Sequence, residues 1–135
     1  MIRLFSPKMN DGASIMALTY YGSTRYMQSY NVMGVAKAAL ETSIKYLSVD
    51  MGDRGIRVNA ISAGPMRTLA GAVINKSRKI YNYTIENSPI KKPLSLEDIG
   101  KSSVYLMSDL SKGVTGEILY VDNGYNNVGM SIQEL

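Results

Sequence analysis

The feature that most constrains this chain is a change of hydrophobic period between Tyr30 and Pro65. From Tyr30 to about Met51, Val32, Ala36, Ala39, Ser43 and Leu47 recur at steps of three and four, and Leu40, Ile44 and Met51 widen that face. This spacing predicts a helix, bracketed at its C-terminal end by Gly52 and Gly55. Ile56 to Ala60 then alternates apolar and polar residues, Ile61 follows, and Ser62-Ala63-Gly64-Pro65 stops the run abruptly. That is the pattern of a strand. A second apolar run, Ser14 to Tyr20 (SIMALTY), precedes the helix after the turn-forming Asp11-Gly12. A long helix between two short strands requires parallel pairing with a right-handed crossover.

The rest of the sequence extends this unit. Met66 to about Ile80 is weakly helical, and Tyr81 to Pro93 is irregular, with Pro89 and Pro93 bounding a basic stretch. Ser95-Leu96-Glu97-Asp98 reads as an N-cap with an acidic third residue, opening a helix that runs to about Ser108. Glu117 to Val121 is a last strand, stopped by Asp122-Asn123-Gly124. The order β-α-β-α-α-β predicts an α/β fold. It is part of a Rossmann-like doubly wound parallel sheet of about three strands with helices on both faces. The whole chain, 1–135, is the size of a single domain.

Composition narrows the chemistry. The chain has neither Cys nor His, which removes disulfides, thiolate chemistry, imidazole metal sites and Ser-His triads. Catalysis would fall to Tyr, Lys, Ser, Thr or carboxylates. The net charge of +4 is spread along the chain, as on a solvated surface rather than a nucleic-acid site. No apolar run approaches the roughly 20 residues that span a bilayer, and the first residues lack the apolar core of a secretory signal. The expectation is a cytoplasmic domain without nucleic-acid or membrane partners.

Tyr30 and Lys37 stand seven residues apart. On a continuous helix this is about 700°, so both side chains would project from one face. A phenol is a poor acid-base group alone, but a nearby ammonium favours its charged form and lowers its pKa. The pair would then donate a strong hydrogen bond where negative charge develops on a carbonyl. The competing reading is a Tyr half in the core and a Lys in water.

The surroundings of the pair shift the balance between these. YNVMGVAKAALE, IRVNAISAGPMRT and GVTGEILYVDNGY follow one another in order. Together they resemble the short-chain dehydrogenase/reductase superfamily. More narrowly they resemble its bacterial NADH-dependent enoyl-acyl-carrier-protein reductases of type II fatty acid synthesis. Most superfamily members space the Tyr and Lys more closely, whereas these reductases use the spacing found here and carry a further Tyr ten residues earlier, where this chain has Tyr20. The resemblance runs from about Gly12 to Met130.

It implies that Tyr30 hydrogen-bonds the thioester carbonyl of a trans-2-enoyl substrate and stabilises the enolate formed as hydride reaches carbon 3. Lys37 would bind the nicotinamide ribose hydroxyls of NADH. Tyr20 would line the acyl pocket in a supporting catalytic role, and Met33 would touch substrate. Backbone near Gly64, Pro65 and Met66 would meet the nicotinamide carboxamide, and Thr68 the pyrophosphate. Each has a plainer reading: Gly64-Pro65 as a strand stop, Met33 as core filler, Thr68 as a helix cap, Tyr20 as packing. The small residues Gly34, Ala36, Ala38 and Ala39 suit close helix approach, and in the family this helix lies at a subunit interface, commonly of a tetramer. Lys76, Arg78, Lys79, Lys91 and Lys92 would face an acidic carrier protein, or simply solvent. In the loop from Met66 to Ile80 the family often has an aromatic residue before an Arg, where this chain has Ser77 before Arg78.

A dinucleotide site also needs a Gly-rich first βα turn, and none is found here. The resemblance is to the family's C-terminal half only. The expected partner is therefore a separate N-terminal half, or further copies of the chain. Alternatives are another short-chain reductase, such as one acting on 3-ketoacyl substrates, and a non-catalytic oligomerising remnant.

Overall fold

The computed structural model describes residues 2–67 and 77–129. A turn of helix, α1 (Ile2–Phe5), leads through a 3-10 turn into β1 (Ser14–Thr19). There follow α2 (Val32–Asp50), β2 (Arg57–Ala63), α3 (Ser77–Asn87), α4 (Leu96–Met107) and β3 (Ile118–Val121). The three strands form one parallel sheet in the order β1-β2-β3. Register pairs Ile15 with Val58, Thr19 with Ser62, and Ser62 with Tyr120.

The central strand explains why the sheet is covered on both sides. Every residue of β2 from Arg57 to Ser62 is buried, as expected of a parallel strand with helices on either face. Val58 and Ala60 join Ile44, Met51 and Ile56 in one core cluster beneath α2. Ile61 joins Ile99 and Leu106 of α4 in the other. Two polar residues share the α4 face. Arg57 donates to the carbonyls of Leu106 and Ser108 at 2.9 and 3.0 Å, and to Ser111 Oγ at 2.8 Å. Its cation thus sits on the carbonyl end of α4, where the helix dipole favours positive charge. Asn59 bridges Val114 O and the Glu117 amide, tying β2 to the approach to β3.

The three predicted strands are found, each with ends shifted by no more than two residues, and α4 matches its predicted span. Three expectations need correction. Tyr30 is not in the helix, because α2 starts at Val32 after Asn31, whose φ of 47° and ψ of −127° break helical continuity. The expected face of α2 is buried only in its C-terminal part: Val32, Ala36, Ala39 and Ser43 face outward, whereas Ile44, Leu47 and Met51 join the core. Small and apolar residues surround α2 on most sides, so periodicity marks a helix without choosing its inner face. The buried positions are Glu41 and Ile44, followed by Met51 just past the end. Finally, Tyr81 to Asn87 is helical rather than irregular. Thr84, Asn87 and Ser88 bond back to the carbonyls four residues earlier, satisfying polar side chains inside a segment of weak helical propensity.

Candidate active site

The carboxyl ends of β1 and β2 carry the residues singled out by the sequence. β1 ends at Thr19, and Tyr20 leads into a short 3-10 turn, Tyr21–Ser23. Tyr20 and Tyr30 meet edge to face with ring centroids 4.9 Å apart. Lys37, one and a half turns into α2, donates from Nζ to the Leu18 carbonyl at 2.9 Å. One turn further on, Glu41 Oε1 accepts the Thr19 hydroxyl at 2.6 Å. Tyr20, Tyr30 and Lys37 are therefore gathered at one point, although not through a shared helical face.

The approach of α2 to this turn depends on two glycines. A Cβ on Gly34 would lie 2.8 Å from the Gly22 carbonyl oxygen, and one on Gly22 would lie 2.6 Å from Tyr30 Cδ1. The backbone beside Tyr30 is also unusual: Ser29 has φ 66° and Asn31 φ 47°, both in the region that L-residues avoid. Such conformations persist where the surrounding structure imposes them.

Burial raises the pKa of Tyr30 above its ordinary value. This is opposite to the lowering expected from Lys37, whose ammonium is held on the Leu18 carbonyl. Tyr20 is raised strongly, first by burial and then by the neighbouring Tyr30, Tyr125 and Tyr21. Both phenols are thus held in the protonated form that donates hydrogen bonds. Among the described residues the Tyr30 hydroxyl has no hydrogen-bond partner.

Beyond β2, Gly64 is required by packing alone: a Cβ there would sit 3.0 Å from Asp122 Cα and 3.3 Å from Leu94 Cδ2. Its amide donates to the Val121 carbonyl at 2.9 Å. Pro65 is half-buried, and Met66 packs on the α4-side core. Met33 is about half exposed rather than core filler. Thr68 and Lys76 lie outside the described residues.

Two observations bear on a dinucleotide. A Lys ammonium has three donors, and Lys37 uses one on Leu18, leaving two for a vicinal diol. Ser62 Oγ, buried near the carboxyl end of β2, has no partner among the described residues. Ligands of open α/β sheets bind outside the carboxyl ends of strands, where these groups stand. The residues present fit the nicotinamide-ribose part of such a cofactor; Thr68, expected at its pyrophosphate, lies outside the described residues.

A family model described as Enoyl-(Acyl carrier protein) reductase matches residues 1–126. The chain belongs to the enoyl-acyl-carrier-protein reductase family. Enoyl-[acyl-carrier-protein] reductase [NADH] 1 of Rhizobium meliloti is 60% identical over 122 residues, covering 90% of this chain and 45% of that protein. The crystal structure of FabI from Candidatus Liberibacter asiaticus superposes with a TM-score of 0.91 at 56% identity, over 96% of this chain and 50% of that one. A reductase from Anaplasma phagocytophilum, solved in complex with NAD, gives 0.88 at 51% identity over 94% of this chain and 48% of that one. The chain spans about half the length of the reductases it matches.

The structure brings together Tyr20, Tyr30 and Lys37, which the sequence singles out, and adds Thr19 and Glu41, which it does not. Glu41 and Thr19 read as an ordinary helix residue and an ordinary strand residue. The one available signal was their spacing: Glu41 follows Lys37 by one turn, as Thr19 follows Leu18 by one residue. Gly34 reads in the sequence only as a small residue, because its contact with Gly22 is made across the fold.

Proposed function

We propose that this chain provides the catalytic and nicotinamide-ribose side of an NADH-dependent enoyl-acyl-carrier-protein reductase acting on trans-2-enoyl thioesters. The observation that carries this reading is the convergence of Tyr30, Tyr20 and Lys37 on the end of β1. Bound NADH would supply hydride to carbon 3 of the enoyl group. Tyr30, protonated and with its hydroxyl free among the described residues, donates a hydrogen bond to the thioester carbonyl and stabilises the enolate. Lys37 holds the ribose hydroxyls with its two remaining donors and adds positive charge beside the reacting carbonyl. Tyr20 packs on Tyr30, fixing its ring and lining the acyl pocket, with Met33 exposed at its side.

Two partner surfaces accompany this reading. Exposed Arg78, Lys79, Lys91 and Lys92 would face the acidic carrier protein. On α2, Val32, Val35, Ala39, Thr42, Tyr46 and Val49 form an exposed seam spaced three and four residues apart. That spacing suits a second copy of the same helix packed alongside. No helix among the described residues is long and apolar enough to cross a membrane.

The reading is tested by mixing the chain with NADH and either crotonyl or acetoacetyl thioester, with and without the N-terminal half of a family reductase. The chain alone is expected to bind NADH very weakly and to turn over little or nothing. With the second half, crotonyl thioester is consumed, and Tyr30→Phe or Lys37→Ala lowers that rate by about 100-fold or more. Preference for acetoacetyl thioester, or no complementation at all, would overturn the reading.

A further inference from the structure

Glu41 is a buried carboxylate with no cationic partner among the described residues: it is 8% exposed and makes one hydrogen bond, to Thr19, itself 4% exposed. Burying a carboxylate is costly, so an apolar residue would serve packing better. What the carboxylate grips supplies its reason. Lys37 and Glu41 stand one turn apart on the same face of α2 and hold consecutive residues of β1, the Leu18 carbonyl and the Thr19 hydroxyl. The next residue is Tyr20, whose ring abuts Tyr30. Among the described residues β1 lies at one edge of the sheet and pairs with β2 alone. Across the register from Thr19, Ser62 Oγ makes no hydrogen bond among the described residues, and the Thr19 hydroxyl turns to Glu41 instead.

We propose that Thr19 and Glu41 are positioning residues, a latch that fixes the end of β1 on α2 and so holds Lys37 and Tyr20 in register with Tyr30. At 2.6 Å, between two buried side chains, the bond is at the short end of the O–H···O range. Without it the Leu18 carbonyl and the Tyr20 ring lose their reference to α2, and Lys37 has no fixed acceptor. The latch rests on the reading of Tyr20, Tyr30 and Lys37 as the reacting groups, but its geometry is testable without cofactor or turnover.

The test is NMR of the whole chain well below its thermal midpoint. The Lys37 ammonium signal, assigned by its loss in Lys37→Arg, reports the bond to Leu18; the ring-proton shifts of Tyr20 and Tyr30 report their contact. Thr19→Val and Glu41→Leu are expected to abolish the ammonium signal and to move both rings' shifts toward unfolded values. Glu41→Gln, which keeps an oxygen for the Thr19 hydroxyl, is expected to preserve both. A lowered thermal midpoint with both signals unchanged in Thr19→Val would make Thr19 and Glu41 merely structural and overturn the latch. So would loss of the signals in Glu41→Gln. If Thr19→Val or Glu41→Leu does not fold, Glu41→Asp, whose oxygen falls short of Thr19, is read in the same way against Glu41→Gln. Failure of the thioester assay with these signals intact would count against the reductase reading and leave the latch standing.

Discussion

The helices α2 and α4 begin in opposite ways. At the start of α4, Ser95 Oγ accepts the Asp98 amide at 3.1 Å, and the Asp98 carboxylate accepts the Ser95 amide at 3.0 Å, a reciprocal capping box. At the start of α2, Asn31 has a positive φ, makes no side-chain cap, and no acidic residue follows in the first turn. The α4 start is satisfied by residues within four positions of each other. The α2 start is held from outside, by the 3-10 turn after β1 and by contacts through Gly22, Gly34 and Tyr30. A helix end that gives up its own capping and is clamped by the fold marks the place where geometry matters more than local stability, and it is the end that bears Tyr30.

The sharpest way to break this contrast is Gly34→Ala. In an ordinary exposed helix the change would stabilise by up to about 1 kcal/mol. Here the new Cβ meets backbone oxygen at 2.8 Å, which cannot turn aside as a side chain would. The expected result is a loss of about 2 kcal/mol in urea unfolding, together with disturbed Tyr20 and Tyr30 signals. A stabilised protein would show that α2 starts as freely as α4.

Alkaline pH probes the same corner. Tyr20 and Tyr30 have pKa values raised by burial, so the native state holds their protons more tightly than the unfolded chain. Their contribution is fully present below the unfolded value near 10 and is lost as pH rises from there toward the folded values. Tyr20→Phe keeps the ring contact and removes the larger of these titrations. Its stability is expected to fall less steeply above pH 10, by up to ~1.4 kcal/mol per pH unit. Unchanged alkaline slopes would mean that the two phenols are solvated.

The two helix starts also explain what was legible in the sequence. The α4 start was read directly, because Ser95 and Asp98 are three residues apart and their bond is local. The strands are legible because a segment such as Ile56 to Pro65, which contains β2, carries its own period and its own stop. Tyr20, Tyr30 and Lys37 stand out through a motif resemblance, but Asn31 interrupts the helix between Tyr30 and Lys37, so the two share no helical face. Thr19–Glu41, Gly22–Gly34 and Gly64–Asp122 were illegible because each joins residues far apart in the chain. The first half of α2's expected inner face is misassigned for a related reason. A charged residue, Glu41, points inward toward its partner on β1, and apolar Val32 points outward.

Local capping leaves a smaller, equally specific signature at α4. Ser95→Ala removes the acceptor for the Asp98 amide and is expected to cost about 1 kcal/mol, measured by thermal or urea unfolding. The Asp98 pKa is lowered, chiefly by the Ser95 hydroxyl, which donates to it at 2.7 Å, then by the Ser95 amide. A carboxylate with a depressed folded pKa adds stability that is present above its unfolded value and is lost as pH falls through the folded one. The protein is therefore expected to weaken on acidification below pH 4, with Asp98→Asn showing a flatter acid limb than the parent. Because the pair is solvent-exposed, this is the smallest of the effects and the most sensitive to salt. Ser95→Ala is expected to flatten the same limb by removing the first cause of the shift. If each variant leaves the acid limb of the parent intact, the α4 start is held by tertiary contacts after all, and the contrast with α2 disappears.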